Sequence, residues 1–201
     1  MINFENHLSE ILDLPDTCLD FCKDEYEIKN IKKNTFLLRE GEVAKWAVFV
    51  ENGLLRMYSI DTQGKEHIIQ FAPEKWLLSD RNSLFFDEKS KFYIEAVEDS
   101  QVLLLKPSFF AQIIEKFPQT AASQEMLLQK HIRNLQNRVN SLLGATAEER
   151  YLDFIKMYPD ILQRVPQWMV ASYLGITPES LSRVRKNIAE KGKLQSKDSF
   201  L

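Results

Sequence analysis

Apolar positions along the 201-residue chain change rhythm several times. From Thr35 to Lys106 they crowd into short runs: TFLLREGE, KWAVFVENGLLRMYSID, GKEHIIQFAP and KFYIEAVEDSQVLLLK. These runs are rich in Val, Ile, Phe and Tyr and are separated by turn pairs at Glu40-Gly41, Asn52-Gly53 and Gln63-Gly64. Several short strands at such spacing predict a sandwich, jelly roll or barrel, not a parallel sheet. Asn52-Gly53 is the strongest hairpin signal, because a tight two-residue turn needs positive φ at both central positions. Before this block, the first quarter predicts short helices broken at Pro15 and near Asn30. After it, PSFFAQIIEKF predicts a short helix started by Pro107-Ser108.

The stretch from Pro118 to Leu143 has no glycine and no internal proline, and predicts one long helix ended by Gly144. Within it Leu128, Ile132, Leu135, Val139 and Leu142 are spaced 4, 3, 4 and 3. That is a seam of coiled-coil type. It either packs on its own domain or joins two copies, and the helix is long for one packed inside a small domain. Next, TAEERYLDFIKMYPDIL predicts a helix with Thr146 and Glu149 as a capping box.

Two short helical patterns around one glycine follow, in VASYLGITPESLSRVRKNI. Pro166 suits the first position of the earlier helix. Gly175 allows a tight turn with positive φ. Thr177 is placed to cap the later helix, with Pro178 at its first position. Ala171 is small where two helices must cross, and Leu181, Val184 and Ile188 form the second apolar stripe. This is the spacing of a helix-turn-helix. An ordinary helical hairpin with a charged outer face would share much of it. The side opposite the stripe carries Glu179, Ser182, Arg183 and Lys186. Arg183 suits guanine O6 and N7, Glu179 a cytosine amino group, and Ser182 a base or phosphate. Lys186, Thr177 and Ser180 suit phosphate.

Charge sharpens this picture. The chain carries −3 overall, yet from Thr177 to Leu201 six basic residues face three acidic ones, a net +3 against −6 elsewhere. A polyanion would approach that end. The N-terminus does not read as a signal peptide, and no apolar run approaches the roughly 20 residues that span a bilayer. Cys18 and Cys22, four apart, read as reduced thiols on one helix face in a cytoplasmic protein.

The order of parts, together with REGEVAKWAVFVENGLLRMYSIDTQGKEHIIQFAPEKW and GITPESLSRVRKNI, resembles the Crp–Fnr family of bacterial transcription regulators. Gly41-Glu42 and Gly53 match its first roll strands, and Glu179 and Arg183 match its base-contacting pair. Pro178 stands where relatives often carry Arg or Gln. The resemblance implies an α+β fold in three parts. Residues 1–116 would form an N-terminal β-roll (jelly-roll, double-stranded β-helix) effector or sensor domain with flanking helices. Residues 117–144 would form a dimerisation helix, and 145–201 a C-terminal winged helix-turn-helix. Only QSKDSFL follows EKGKL, so the wing would be short, with Lys193 or Lys197 near phosphate. The implied partners are double-stranded promoter DNA, a second copy of the chain, RNA polymerase and a small-molecule effector, with no membrane.

The effector is the least legible part. Ser79-Asp80 stands where cyclic-nucleotide binders of the family carry Gly-Glu, and Ser90-Lys91 where they carry Arg followed by Ser or Thr. Arg81 or Lys91 could bring charge to a ligand phosphate, but not the bidentate grip of that arginine. Trp76, Leu77, Leu78, Phe85 and Tyr93 either line an apolar ligand pocket or form roll core. The candidate effector set is therefore Trp76, Ser79, Asp80, Arg81, Lys91 and Tyr93. Two cysteines are too few for an iron–sulfur cluster of the four-cysteine kind. His7, His67 and His131 are the lone candidates for a haem-type sensor, and they point to no particular site. A cupin-type metal enzyme needs two or three strand histidines, and the strand region has only His67. No cofactor, metal or catalytic motif is found. Two alternatives stay open: a cyclic-nucleotide-responsive regulator, and a roll that serves only as an interaction module and no longer binds DNA. The module would be favoured by a broken basic face, and Arg183, Arg185 and Lys186 keep that face intact.

Overall fold

The structure is a computed structural model and describes residues 3–12 and 18–198. The chain divides into two compact units, Met1–His131 and Ile132–Leu201.

The first unit holds α1 (Asn3–Leu12), a 3₁₀ turn (Cys18–Glu25), β1 (Tyr26–Ile31), β2 (Phe36–Leu38), β3 (Ala47–Asn52) and β4 (Leu55–Ile60). Then come β5 (Glu66–Ala72), β6 (Leu77–Leu78), α2 (Arg81–Phe86), β7 (Tyr93–Ala96), β8 (Ser100–Leu105) and α3 (Phe109–Lys116). Two four-stranded antiparallel sheets, in the orders β1-β8-β3-β6 and β2-β7-β4-β5, face each other as a β-roll. Val48 and Leu104 of one sheet meet Leu38 and Ile94 of the other around a small cavity. On the outer side of β3, Phe49 packs on Phe4 of α1 with ring centroids 4.7 Å apart. The Phe4 backbone N–H donates to the buried Glu51 carboxylate at 3.0 Å. Burial on both faces explains why WAVFV reads as a continuous apolar run with no alternation.

Two expectations in this unit need correction. Asn52-Gly53 does not close a hairpin: β3 pairs with β8 and β6, while β4 lies in the other sheet. The glycine is needed for a different reason. Its φ is +98°, and a Cβ there would lie 2.8 Å from the Ser100 Cα, so the chain crosses between sheets tight against β8. The true hairpin joins β4 to β5 over Asp61–Lys65. There Gly64 has φ +80° and donates to the Asp61 carbonyl, while the Asp61 carboxylate accepts from the Gln63 and Lys65 amides. The break expected near Asn30 is also absent. Asn30 lies inside β1, whose register runs from Tyr26↔Leu105 to Ile31↔Ser100. This edge strand is mostly exposed, so it carries little periodic signal, and pairing with β8 decides its state. The break expected at Pro15 lies outside the described residues.

Helix α4 (Ala121–Gly144) follows a 3₁₀ turn at Pro118–Thr120 and continues into the second unit. None of its residues is buried. The second unit adds α5 (Ala147–Met157), α6 (Ile161–Arg164), α7 (Gln167–Leu174) and α8 (Pro178–Asp198). The Thr146 hydroxyl accepts from the Glu149 amide at 3.2 Å, and the Glu149 carboxylate accepts from the Thr146 amide at 2.8 Å, completing the capping box. Pro166 is the N-cap of α7 and lies one position before the first helical residue. The helix-turn-helix is present, but its wing is not found among the described residues. α8 runs on to Asp198, carrying Lys193 and Lys197 in its helical backbone. The segment AEKGKLQSKD has no β-branched or aromatic residue that would favour a strand pair over helix.

Candidate nucleic-acid interface

The α7–α8 pair is built around its turn. Gly175 adopts φ 67° and ψ 34°, and its N–H reaches the last carbonyls of α7. The Ile176 N–H donates to the Ala171 carbonyl at 3.0 Å, closing the α7 end. A Cβ at Gly175 would make only an ordinary 3.5 Å contact with Leu142, so the requirement for glycine comes from its backbone angle. Gly175→Ala is expected to destabilise the protein by about 1–2 kcal/mol in urea denaturation, through backbone strain alone.

Thr177 then caps α8. Its hydroxyl accepts from the Ser180 amide at 3.2 Å, and its carbonyl accepts from the Leu181 N–H at 3.0 Å. Ala171 and Leu181 are buried where the helices cross, and Val184 and Ile188 are half-buried on the same stripe. The opposite side presents Glu179, Ser182, Arg183 and Lys186, all exposed. At 100° per residue they span an arc of about 100°. Arg185 is exposed beside them.

The electrostatics of this face suit recognition. The Glu179 carboxyl is held below the usual carboxylate range, first by its own backbone N–H, then by the Thr177 hydroxyl, with Arg183 contributing. It is therefore an ionised acceptor at neutral pH. An Arg183 Nη donates to the Ser180 hydroxyl at 3.3 Å, which holds the guanidinium near the start of α8. Lys186 makes only a loose 3.9 Å contact with Glu190 between two exposed side chains. Lys191 is engaged elsewhere, bonding Glu148 of α5 at 2.7 Å. Five of the six expected DNA-facing residues thus lie in α8, and the sixth, Thr177, caps its start through the Ser180 amide.

The expected seam forms one stripe on α4 and lies open. Leu128 and Ile132 are each 39% exposed, Leu135 47%, Val139 56% and Leu142 43%. Packing against its own domain would have buried this stripe. Monomers rarely leave such a row of large apolar side chains in water without a partner.

The expected effector residues make separate contacts. Trp76 packs against the roll core, Arg81 lies over Phe85, Lys91 is exposed, and Tyr93 stacks on Tyr58 with its hydroxyl on Glu40 at 3.2 Å. Ser79 is half-buried and lies outside the lining of the cavity. Asp80 has turned inward as the N-cap of α2, accepting from the Asn82 and Ser83 amides at 3.1 and 3.3 Å. Ser90 also donates to Asp80 at 2.7 Å. A carboxylate of the protein thus already satisfies the groups that would greet an anion. The cavity between the sheets measures ≈ 30 Å³, room for about one water, and none of the six residues lines it. Asp80→Ala is expected to cost about 1–3 kcal/mol of stability in thermal unfolding, because the cap is lost and the buried Ser90 hydroxyl is left with only the longer bond to the Phe92 carbonyl.

One contact escaped the sequence. Arg138 of α4 lies over the Tyr173 ring, 3.7 Å from its centroid. Its only trace in sequence is an arginine beside the seam, a position that usually faces solvent.

Comparison with known proteins places this geometry. Residues 28–117 match the family described as cyclic nucleotide-binding domain. The fumarate and nitrate reduction regulatory protein of Salmonella typhi is 23% identical over 209 residues, spanning 92% of this chain and 81% of the relative. FixK2 from Bradyrhizobium japonicum shares the fold with a TM-score of 0.67 at 22% identity, over 83% of this chain and 86% of that one. A transcriptional regulator of the crp/fnr family from Eubacterium rectale gives 0.66 at 16% identity, over 93% and 89%.

Proposed function

We propose, from its membership in the Crp–Fnr family of transcription regulators, that this chain reads a near-palindromic DNA site as a homodimer. Each protomer inserts one α8 into a major groove. The grooves are about 34 Å apart, one helical turn of DNA. Arg183 and Glu179 read base edges, and Ser182 contacts a base or phosphate. Lys186 binds phosphate, and Thr177 and Ser180 hold the start of α8 against the backbone. The observation that carries this reading is the exposed, cation-rich face of α8, with Glu179, Ser182, Arg183 and Lys186 aligned opposite a buried stripe.

The open stripe from Leu128 to Leu142 supports the dimer. Two such stripes, zipped together, would hold the two α8 helices as a pair. Among the described residues no helix is long and apolar enough to cross a membrane. We place its action in the cytoplasm, on promoter DNA, with RNA polymerase as the partner that such regulation implies. The Asp80 cap and the ≈ 30 Å³ cavity support a roll that works without a cyclic nucleotide.

Fragmented genomic DNA passed over the purified protein at physiological salt tests the reading. The wild type should enrich discrete fragments that Arg183→Ala loses. A wild type that enriches nothing, alone or with a small-molecule cell extract added, contradicts it.

A further inference from the structure

The last three turns of α4 carry two things at once. They present the seam residues Leu135, Val139 and Leu142, and they hold the helix-turn-helix. Arg138 is the one residue from Ile132 to Asn140 that is not exposed. Its guanidinium stacks on the Tyr173 ring, and one Nη donates to the Tyr173 carbonyl. That carbonyl belongs to the last turn of α7, where a helix leaves acceptors without internal partners and favours a cation. Burial holds the Arg138 guanidinium below the usual arginine range, as expected for a charge drawn in from solvent. Tyr173 also packs on Phe154 at 5.1 Å and edge-on against Tyr158 at 5.6 Å. Arg138 therefore grips the ring at the centre of the unit's aromatic core. One turn further on, Leu142 reaches the Gly175 turn itself.

We infer that Arg138 is a positioning residue for DNA recognition: it fixes the α7–α8 pair to the dimer helix, so that two recognition helices keep one spacing. The inference rests on the proposed reading of α8 and of the seam. Without the clamp each helix-turn-helix still has its aromatic core, its Gly175 turn and its Thr177 cap. It would fold and grip a half-site, but the two would no longer be held in register with the DNA.

A DNA fragment selected by the wild type supplies the two-half-site operator. Versions with one half-site, and with the spacer changed by one base pair, are made from it. Arg138→Met removes the charge and the planar fork but keeps an apolar stem over Tyr173. The variant should remain a dimer and bind the single half-site within about twofold of wild type, while losing at least about tenfold on the full site. It should also discriminate less between spacers. Arg138→Lys should recover part of the full-site affinity, since an ammonium can reach the carbonyl without stacking. Equal losses on half and full sites would mean a merely structural role and overturn the inference, as would no loss on either. If the wild type selects no DNA at all, the DNA-reading proposal itself falls, and the clamp with it.

Discussion

Leu135→Glu yields a folded monomer that binds a two-half-site operator about 10²–10⁴-fold more weakly than the wild type. Leu135 is 47% exposed in the protomer, so glutamate there strains nothing within one chain. In the dimer it would lie at the centre of the seam. Each of the five stripe residues stands to bury a remainder worth on the order of 1 kcal/mol, so both copies together offer roughly 10 kcal/mol. Association costs about 4–15 kcal/mol in lost freedom. The two are close, so the seam has little surplus. Two buried glutamates, each losing several kcal/mol of hydration, exceed it. Sedimentation measures the oligomeric state, and circular dichroism shows that the helices persist. A variant that stays dimeric would mean that the seam is assigned to the wrong stripe.

Arg183→Ala is expected to cost about 1–3 kcal/mol per half-site and to relax preference at one base pair in each. A dimer feels the loss twice. Arg183 is exposed and donates to the Ser180 hydroxyl at 3.3 Å, a weak tie that a guanine can replace. Removing it leaves Leu181 buried and the α7–α8 crossing intact. The loss should therefore appear in DNA binding and not in the melting temperature. Lys186→Ala gives the contrast. Its loss should fall evenly across sequences and reduce the salt slope by about 1. Binding titrations on the selected operator and on single-base variants, at several salt concentrations, separate the two. A loss from Arg183→Ala that is uniform across all base variants would make it a phosphate contact.

Local signals carried much of this molecule. Thr146-x-x-Glu149, Gly175 and Thr177-Pro178 are rules about a few neighbouring residues, and each stands where the chain needs it. The 4-3-4-3 spacing is legible for the same reason: on a helix without internal glycine or proline it sets five apolar residues on one stripe, which is exposed in the protomer. The failures were tertiary. Gly53 reads as a hairpin glycine, yet what demands it is Ser100, far along the chain. Tyr26–Ile31 reads as helix because an exposed edge strand has no apolar face, and only β8 gives it a state. The wing is an expectation from resemblance, and among the described residues AEKGKLQSKD continues α8 instead. Asp80 reads as a ligand-facing residue through the resemblance, and in the structure its carboxylate caps α2. Arg138 was invisible, since a cation–aromatic contact between α4 and α7 leaves no spacing to read.

Recognition of the site turns on Arg183 reading guanine from α8 in two major grooves. Dimethyl sulfate protection of the selected operator measures this at guanine N7. Guanines should be protected in two positions about one helical turn, roughly 10 base pairs, apart, with that protection lost in Arg183→Ala at concentrations where the variant still binds. Protection at a single position, or a pattern unchanged by the substitution, would contradict this reading.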